Sequence, residues 1–229
     1  MKREMTLTLA LALGSTVGCA MPARETSEVS ARDRVEQTGD PFTTAARRGF
    51  DELNDDFEEL VTDNARLDGE RAEEWAESRE QILEVRQELA TDMDRLETAS
   101  RDDRDEIHSR IARNFETMTH RVERAKLLWG DDDRDFVSAA RQRLEEVDQE
   151  IQALQSDAGR LPMEAREEAS QTVEDLRRQR NDVEEVVESM ADASPPEIEE
   201  QRDELANDVA ALSATVQREG LELYAELDN

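Results

Sequence analysis

Side chains suited to metal or nucleophilic chemistry are few in this sequence of 229 residues, which has two histidines and one cysteine, Cys19. Twelve residues separate His108 from His120, which sets them about 120° apart around a helix, whereas a paired zinc site needs a spacing of three or four residues. The acidic run at 131–135 lacks the spacing, glycine turn and closing glutamate of an EF-hand calcium loop. The sequence contains no HExxH motif, glycine-rich phosphate loop or GxSxG motif. We therefore predict no catalytic, cofactor or metal site, and no enzymatic activity.

Cys19 follows a segment with the features of an export signal. Lys2 and Arg3 precede an apolar stretch at 5–17, which is too short to cross a bilayer as a mature helix. The residues at 16–19, Thr-Val-Gly-Cys, resemble the bacterial lipoprotein box, in which cleavage precedes the cysteine and its sulfur receives diacylglycerol. The glycine fits that pattern, whereas the threonine stands where leucine is usual.

The lipoprotein resemblance implies a membrane anchor. Residues 1–18 would be the signal peptide, and Cys19 would be the lipidated amino terminus of an exported protein. Because Ala20 rather than aspartate follows the cysteine, the resemblance implies the periplasmic face of the outer membrane in a Gram-negative cell. The alternative is ordinary cleavage after Ala20, which would discard the cysteine. Residues 19–41 show no apolar period and are predicted to form a flexible tether.

The composition favours thin helical packing beneath an acidic surface. Hydrophobic residues make up 36% of the chain and aromatic residues 3%, which excludes a thick core, but each helix of a bundle needs only a narrow apolar stripe. A formal net charge of −30 repels nucleic-acid phosphates, so we predict no nucleic-acid partner. Lys2 and Lys126 are the only lysines among 29 basic residues. Such an acidic, lysine-poor surface resembles that of proteins from salt-loving organisms, in which salt screens the repulsion between carboxylates.

The sequence also aligns with itself, without gaps, at a shift of 94 residues. Between 42–129 and 136–223, 21 of the 88 aligned pairs are identical, against roughly one in twelve expected from composition. The segments share their interruptions as well, because the Ala-Ser pair at 99–100 recurs at 193–194. A common coiled-coil period would align apolar positions but not these interruptions. We therefore predict two tandem repeats.

Each repeat has the pattern of three amphipathic helices. In the first repeat, apolar residues recur at steps of three and four over about 43–64, 69–98 and 101–127, and the second repeat shows the same stripes. Asp68 and Ser194 are predicted to cap helix starts. Short connections favour antiparallel neighbours, so the predicted fold is all-α, an elongated antiparallel helical bundle or coiled coil of two tandem three-helix repeats. The pattern allows either two consecutive bundles or a single one.

The order of acidic hairpin, Ala-Ser interruption and third amphipathic helix resembles small bacterial coiled-coil proteins described as stress-response or apolipoprotein-like. Residues 96–122 and their counterparts at 190–216 carry this resemblance, which implies no catalytic residues. Trp129, at the end of a predicted helix, is expected either to join the repeats or to anchor a partner.

Two functions are expected from these features. The first is a non-enzymatic envelope lipoprotein, held to the membrane by its lipid, that acts as a helical spacer or protein-interaction module. Its helices would bind a protein partner or mediate self-association. The alternative is an apolipoprotein-like protein whose helices open to bind lipid.

Overall fold

Six α-helices make up the body of the chain in a computed structural model that describes residues 40–130 and 136–227. Within these ranges there is no strand, so the predicted all-α helical bundle is confirmed. The helices are α1 (Pro41–Asp63), α2 (Gly69–Thr98), α3 (Arg101–Trp129), α4 (Phe136–Ala158), α5 (Met163–Ala191) and α6 (Pro195–Leu227), with a short 3-10 turn at Asn64–Arg66. The bounds of α2 are those expected from its apolar stripe. The starts of α2 and α5, and those of α3 and α6, are each 94 residues apart.

Side chains just before α1 and α6 bond to the first helical turns. Asp40 accepts a hydrogen bond at Oδ1 from the backbone N–H of Phe42, at 2.9 Å, and a proline occupies the first turn of α1. At the start of α6, the backbone N–H and hydroxyl of Ser194 both donate to Glu197 Oε2, at 2.8 and 2.6 Å. The glutamate therefore reaches back as it does in a capping box.

The start of α2 differs from the prediction. Asp68 directly precedes this helix, but its side chain makes no capping hydrogen bond. The chain instead enters α2 at Gly69 with a φ of 61°, a left-handed conformation that glycine adopts without steric cost. The prediction of a side-chain cap at Asp68 is therefore wrong.

The first three helices, here called the N-terminal trio, run up, down and up. Contacts between α1 and α2 pair the beginning of one with the end of the other, namely Arg47 with Glu97 and Glu58 with Arg86. Contacts between α1 and α3 follow the same direction along both, namely Phe42 with His108 and Asp56 with Lys126. The last three helices, the C-terminal trio, have the same order, and Gln155 of α4 bonds to Arg177 of α5.

Each trio encloses its own apolar core. In the N-terminal trio the core centres on buried residues of all three helices, such as Phe57, Ile82, Leu89, Ile111 and Phe115. In the C-terminal trio the corresponding residues include Leu144, Ile151, Leu176, Leu205 and Val209. These are the apolar positions of the predicted stripes, because side chains at steps of three and four share one helix face.

The most extensive contact between helices joins α3 to α6, one from each trio. The two helices are antiparallel, because His120 meets Asn207 and Arg124 meets Asp203 further back along α6. The carboxyl-terminal part of each of these two helices also enters the core of the other trio. Leu127 of α3 packs into the C-terminal core, and Leu221 of α6 packs into the N-terminal core. The six helices therefore form one compact unit.

Candidate functional site

Three features predicted from the sequence lie outside the described residues. They are the signal peptide at 1–18, Cys19 with nearly all of the tether at 19–41, and the acidic run at 131–135. The candidate site described below lies in the helical body.

The two histidines lie in different surroundings. His108 is buried in the N-terminal trio, where its ring stacks on Phe42 with the centroids 4.0 Å apart and its Nε2 lies 3.9 Å from Asp40 Oδ2. His120 faces α6, where its Nε2 is 3.1 Å from Asn207 Oδ1, and burial lowers the pKa of its imidazole below 6.5. Within residues 40–130 and 136–227, no group of three or more His, Cys, Asp or Glu side chains could hold a metal ion.

Trp129 lies at the junction of the two trios. Its side chain packs against both apolar cores, and its ring centroid is 5.7 Å from that of the buried Trp75. Of the two roles expected for Trp129, joining the repeats is the one that agrees with these contacts.

A network of charged side chains lies beside this junction. Glu123 of α3 is only 5% exposed, and its Oε2 is 2.8 Å from Nε of Arg143 on α4. The Nη1 of the same arginine lies 3.2 Å from Glu146 and 3.0 Å from Glu150. One arginine of the C-terminal trio is thus held by three carboxylates, one of which belongs to the N-terminal trio.

Lys126 extends the network to α1. Its Nζ lies 3.2 Å from Asp56 Oδ2 and 3.4 Å from Glu123 Oε1. Burial alone would lower the pKa of Lys126, but the two carboxylates outweigh it and raise that pKa above its ordinary value. Lys126 is therefore held in its charged form, and α1, α3 and α4 are joined through side chains.

For the carboxyl of Glu150, the effect of burial on the pKa outweighs the effect of the neighbouring charge. Burial raises its pKa above the usual value, although Arg143 and a hydrogen bond with Gln217 of α6 oppose the shift. Gln217 brings the fourth helix into the network. The electrostatics of the site are therefore those of a buried structural joint.

The network lines a cleft of about 460 Å³ between α1, α3 and α4. Leu60, Leu127 and Phe136 form an apolar part of its wall. Arg202 lies 5.3 Å over the Phe136 ring and donates a 2.8 Å hydrogen bond to the carbonyl of Leu128. Because Lys126, Arg143 and Arg202 are all engaged by protein groups, the cleft does not present these cations to an anionic ligand.

Sequence reasoning missed this network. Glu–Arg pairs are abundant in the chain, and such pairs usually lie on solvated helix faces. One signal was available: at the 94-residue shift, Arg143 aligns with Gly49, so a large charged side chain replaces the smallest residue. Such a replacement indicates that the two repeats differ in packing at that point.

No described helix is long and apolar enough to cross a membrane. No family model, curated protein or solved structure matches this chain.

Proposed function

We propose that this chain is a non-enzymatic lipoprotein of the cell envelope, anchored through Cys19 at the periplasmic face of the outer membrane. Its helical body acts as a spacer or protein-interaction module. The anchor is supported by Lys2 and Arg3, the apolar stretch at 5–17 and the glycine before the cysteine.

The burial of the apolar residues is the observation that supports the proposed role of the helical body. In the described ranges only three large hydrophobic side chains, those of Leu83, Met163 and Val186, are exposed. The others pack into the two cores, and the outer faces carry mainly charged and polar residues. Such a surface suits contacts with polar protein surfaces and keeps the body in solution.

The dimensions of the helices support a spacer role. The 33 residues of α6 span about 50 Å at 1.5 Å per residue. The contact between α3 and α6 and the charged network between the trios hold the helices as one body. A body of this length on a lipid-anchored tether would keep a binding surface away from the membrane.

The apolipoprotein-like alternative requires the helices to separate and expose their apolar faces. The extensive contact between α3 and α6 weighs against it, because opening would uncover the apolar residues of both cores. Liposome flotation of residues 20–229, which lack both the apolar stretch and Cys19, distinguishes the two functions. We expect this fragment to stay at the bottom of the gradient, and flotation would favour the lipid-binding alternative.

Mass spectrometry of the mature amino terminus tests the anchor. We expect the chain to begin at Cys19 with the added mass of diacylglycerol. A mature chain that begins after Ala20 would refute lipidation. Photo-crosslinking from exposed positions of α2 and α5 tests the body, and failure to capture any envelope protein would leave only the spacer role.

A further inference from the structure

The two trios contain matching contacts between an aromatic ring and a basic side chain. In the N-terminal trio the His108 ring stacks on Phe42, with centroids 4.0 Å apart and planes inclined by 27°. In the C-terminal trio, Arg202 lies 5.3 Å over the ring of Phe136. Phe42 and Phe136 are 94 residues apart, and so are His108 and Arg202. The two pairs therefore occupy equivalent positions in the two repeats. Arginine is permanently charged, whereas histidine titrates near neutral pH.

One carboxylate, that of Asp40, lies close to His108. Asp40, at the start of α1, places Oδ2 3.9 Å from His108 Nε2 and 3.5 Å from Arg104. The ends of α2 and α6 also carry carboxylates, namely Asp94, Glu97, Glu222 and Glu226, but all four are exposed to solvent and Glu97 pairs with Arg47. Arg104, one turn earlier on α3, pairs with the Asp40 carboxylate and opposes its effect on His108.

We propose that His108 is a pH-dependent switch for the docking of the start of α1 onto α3. The protonated ring pairs with Phe42 and Asp40 as Arg202 pairs with Phe136, and the neutral ring loses this charge interaction. Asp40 also caps α1, so the switch acts on the residue through which the chain enters the bundle. The proposal does not depend on the proposed lipid anchor.

Two opposing effects decide the charge of the ring. Burial of His108 disfavours the imidazolium. The Phe42 ring face and the Asp40 carboxylate within 4 Å favour it. The equivalent position in the other trio holds a permanent cation over its aromatic ring, where the Arg202 side chain is 32% exposed.

Imidazole NMR of the full chain tests the proposal directly, because only two histidines are present. With 13C-labelled histidine, a His120→Gln variant assigns both signals across a titration from acid to alkaline pH. We expect His108 to titrate at higher pH than His120. Asp40→Asn, which keeps a good capping residue, should lower the His108 midpoint by about one pH unit.

Asp55→Asn is the matched control, because Asp55 is exposed on α1 and its replacement changes the net charge equally. The His108 midpoint should not move in this variant. A second readout uses amide exchange of Thr44, whose N–H donates to the Asp40 carbonyl at 3.0 Å. Its protection factor should fall between pH 5.5 and pH 8 in the wild type but not in His108→Arg.

Two results would overturn the proposal. One is a titration midpoint of His108 at or below that of His120 in the wild-type protein. This measurement needs no substitution of His108 or Asp40. The other is an unchanged His108 midpoint in a folded Asp40→Asn protein.

Discussion

Glu123 of α3 and Arg143 of α4 form a buried ion pair, 2.8 Å between Oε2 and Nε, that joins the two trios. The positions related to them by the 94-residue shift are Gln217 and Gly49, which carry no charge. On the glycine side, α1 packs along α6 more extensively than α4 packs along α3 on the arginine side. The two edges of the α3–α6 interface are therefore closed differently, one by close approach of helices and the other by charged side chains.

Removing one member of this pair should destabilise the protein strongly. Glu123→Gln or Arg143→Met should lower the free energy of unfolding by about 1.5–3 kcal/mol, because each removes a charged contact from a buried site. The remaining charge is still partnered, since Arg143 keeps Glu146 and Glu150, and Glu123 keeps Lys126. The double variant should lose less than the sum of the single variants, since the two side chains interact directly. Urea denaturation at neutral pH measures both effects.

The exposed pair formed by Asp175 and Arg178 on α5 provides the control. Its atoms are 3.1 Å apart, but both side chains are largely in solvent. Asp175→Asn and Arg178→Gln should each change stability by less than about 1 kcal/mol. Equal losses at the two pairs would contradict a special role for the buried one.

Two helical glycines should respond oppositely to alanine. At Gly49 of α1 an added Cβ would lie 2.5 Å from Cζ of the buried Phe115, so Gly49→Ala should destabilise by about 1–3 kcal/mol. At Gly220 of α6 an added Cβ meets nothing within 4 Å. Gly220→Ala should therefore stabilise by about 0.5–1 kcal/mol through helix propensity.

Thermal unfolding of the two alanine variants and of Gly49→Ala combined with Phe115→Leu checks this prediction. The smaller leucine should recover part of the loss, because it leaves room for the new methyl group. A Gly49→Ala protein as stable as the Gly220→Ala protein would mean that the contact with Phe115 relaxes without cost.

His120 should make stability fall on mild acidification. Burial holds its folded-state pKa below 6.5, so as pH decreases through 6.5 the unfolded chain takes up a proton that the folded protein does not. The contribution is fully present above pH 6.5 and is lost as pH falls toward the folded pKa. Free energies of unfolding at pH 7.5 and 5.5 should therefore differ more in the wild type than in His120→Gln, and equal differences would exclude this linkage.

Salt should stabilise the protein. The formal net charge of −30 makes carboxylates repel one another in the folded state, and ions shorten the range of that repulsion to about 3 Å at 1 M salt. We expect the melting temperature to rise with added sodium chloride. Sucrose, which carries no charge, separates screening from a general solute effect, and a melting temperature unaffected by salt would contradict the prediction.

Local sequence patterns were sufficient for the helices. Steps of three and four between Ile82, Val85 and Leu89 place these residues on one face, and all three are buried in α2. The same reasoning predicted the shift that relates the starts of α2 and α5. It erred at Asp68, because residue type alone does not reveal whether a side chain or a backbone turn begins a helix.

The sequence by itself thus determined the fold class, the helix positions and the faces that turn inward. Only the tertiary structure decided how the two trios pair, because an apolar stripe indicates which face is buried but not which helix covers it. The packing of α3 against α6 places Leu127 in the C-terminal core and Leu221 in the N-terminal core, and Glu123 is buried beside Arg143 of α4. Arg143 lies 20 residues from Glu123 in the sequence, and its residue type alone suggests an exposed side chain. It is part of a buried ion pair because α3 and α4 meet at this point.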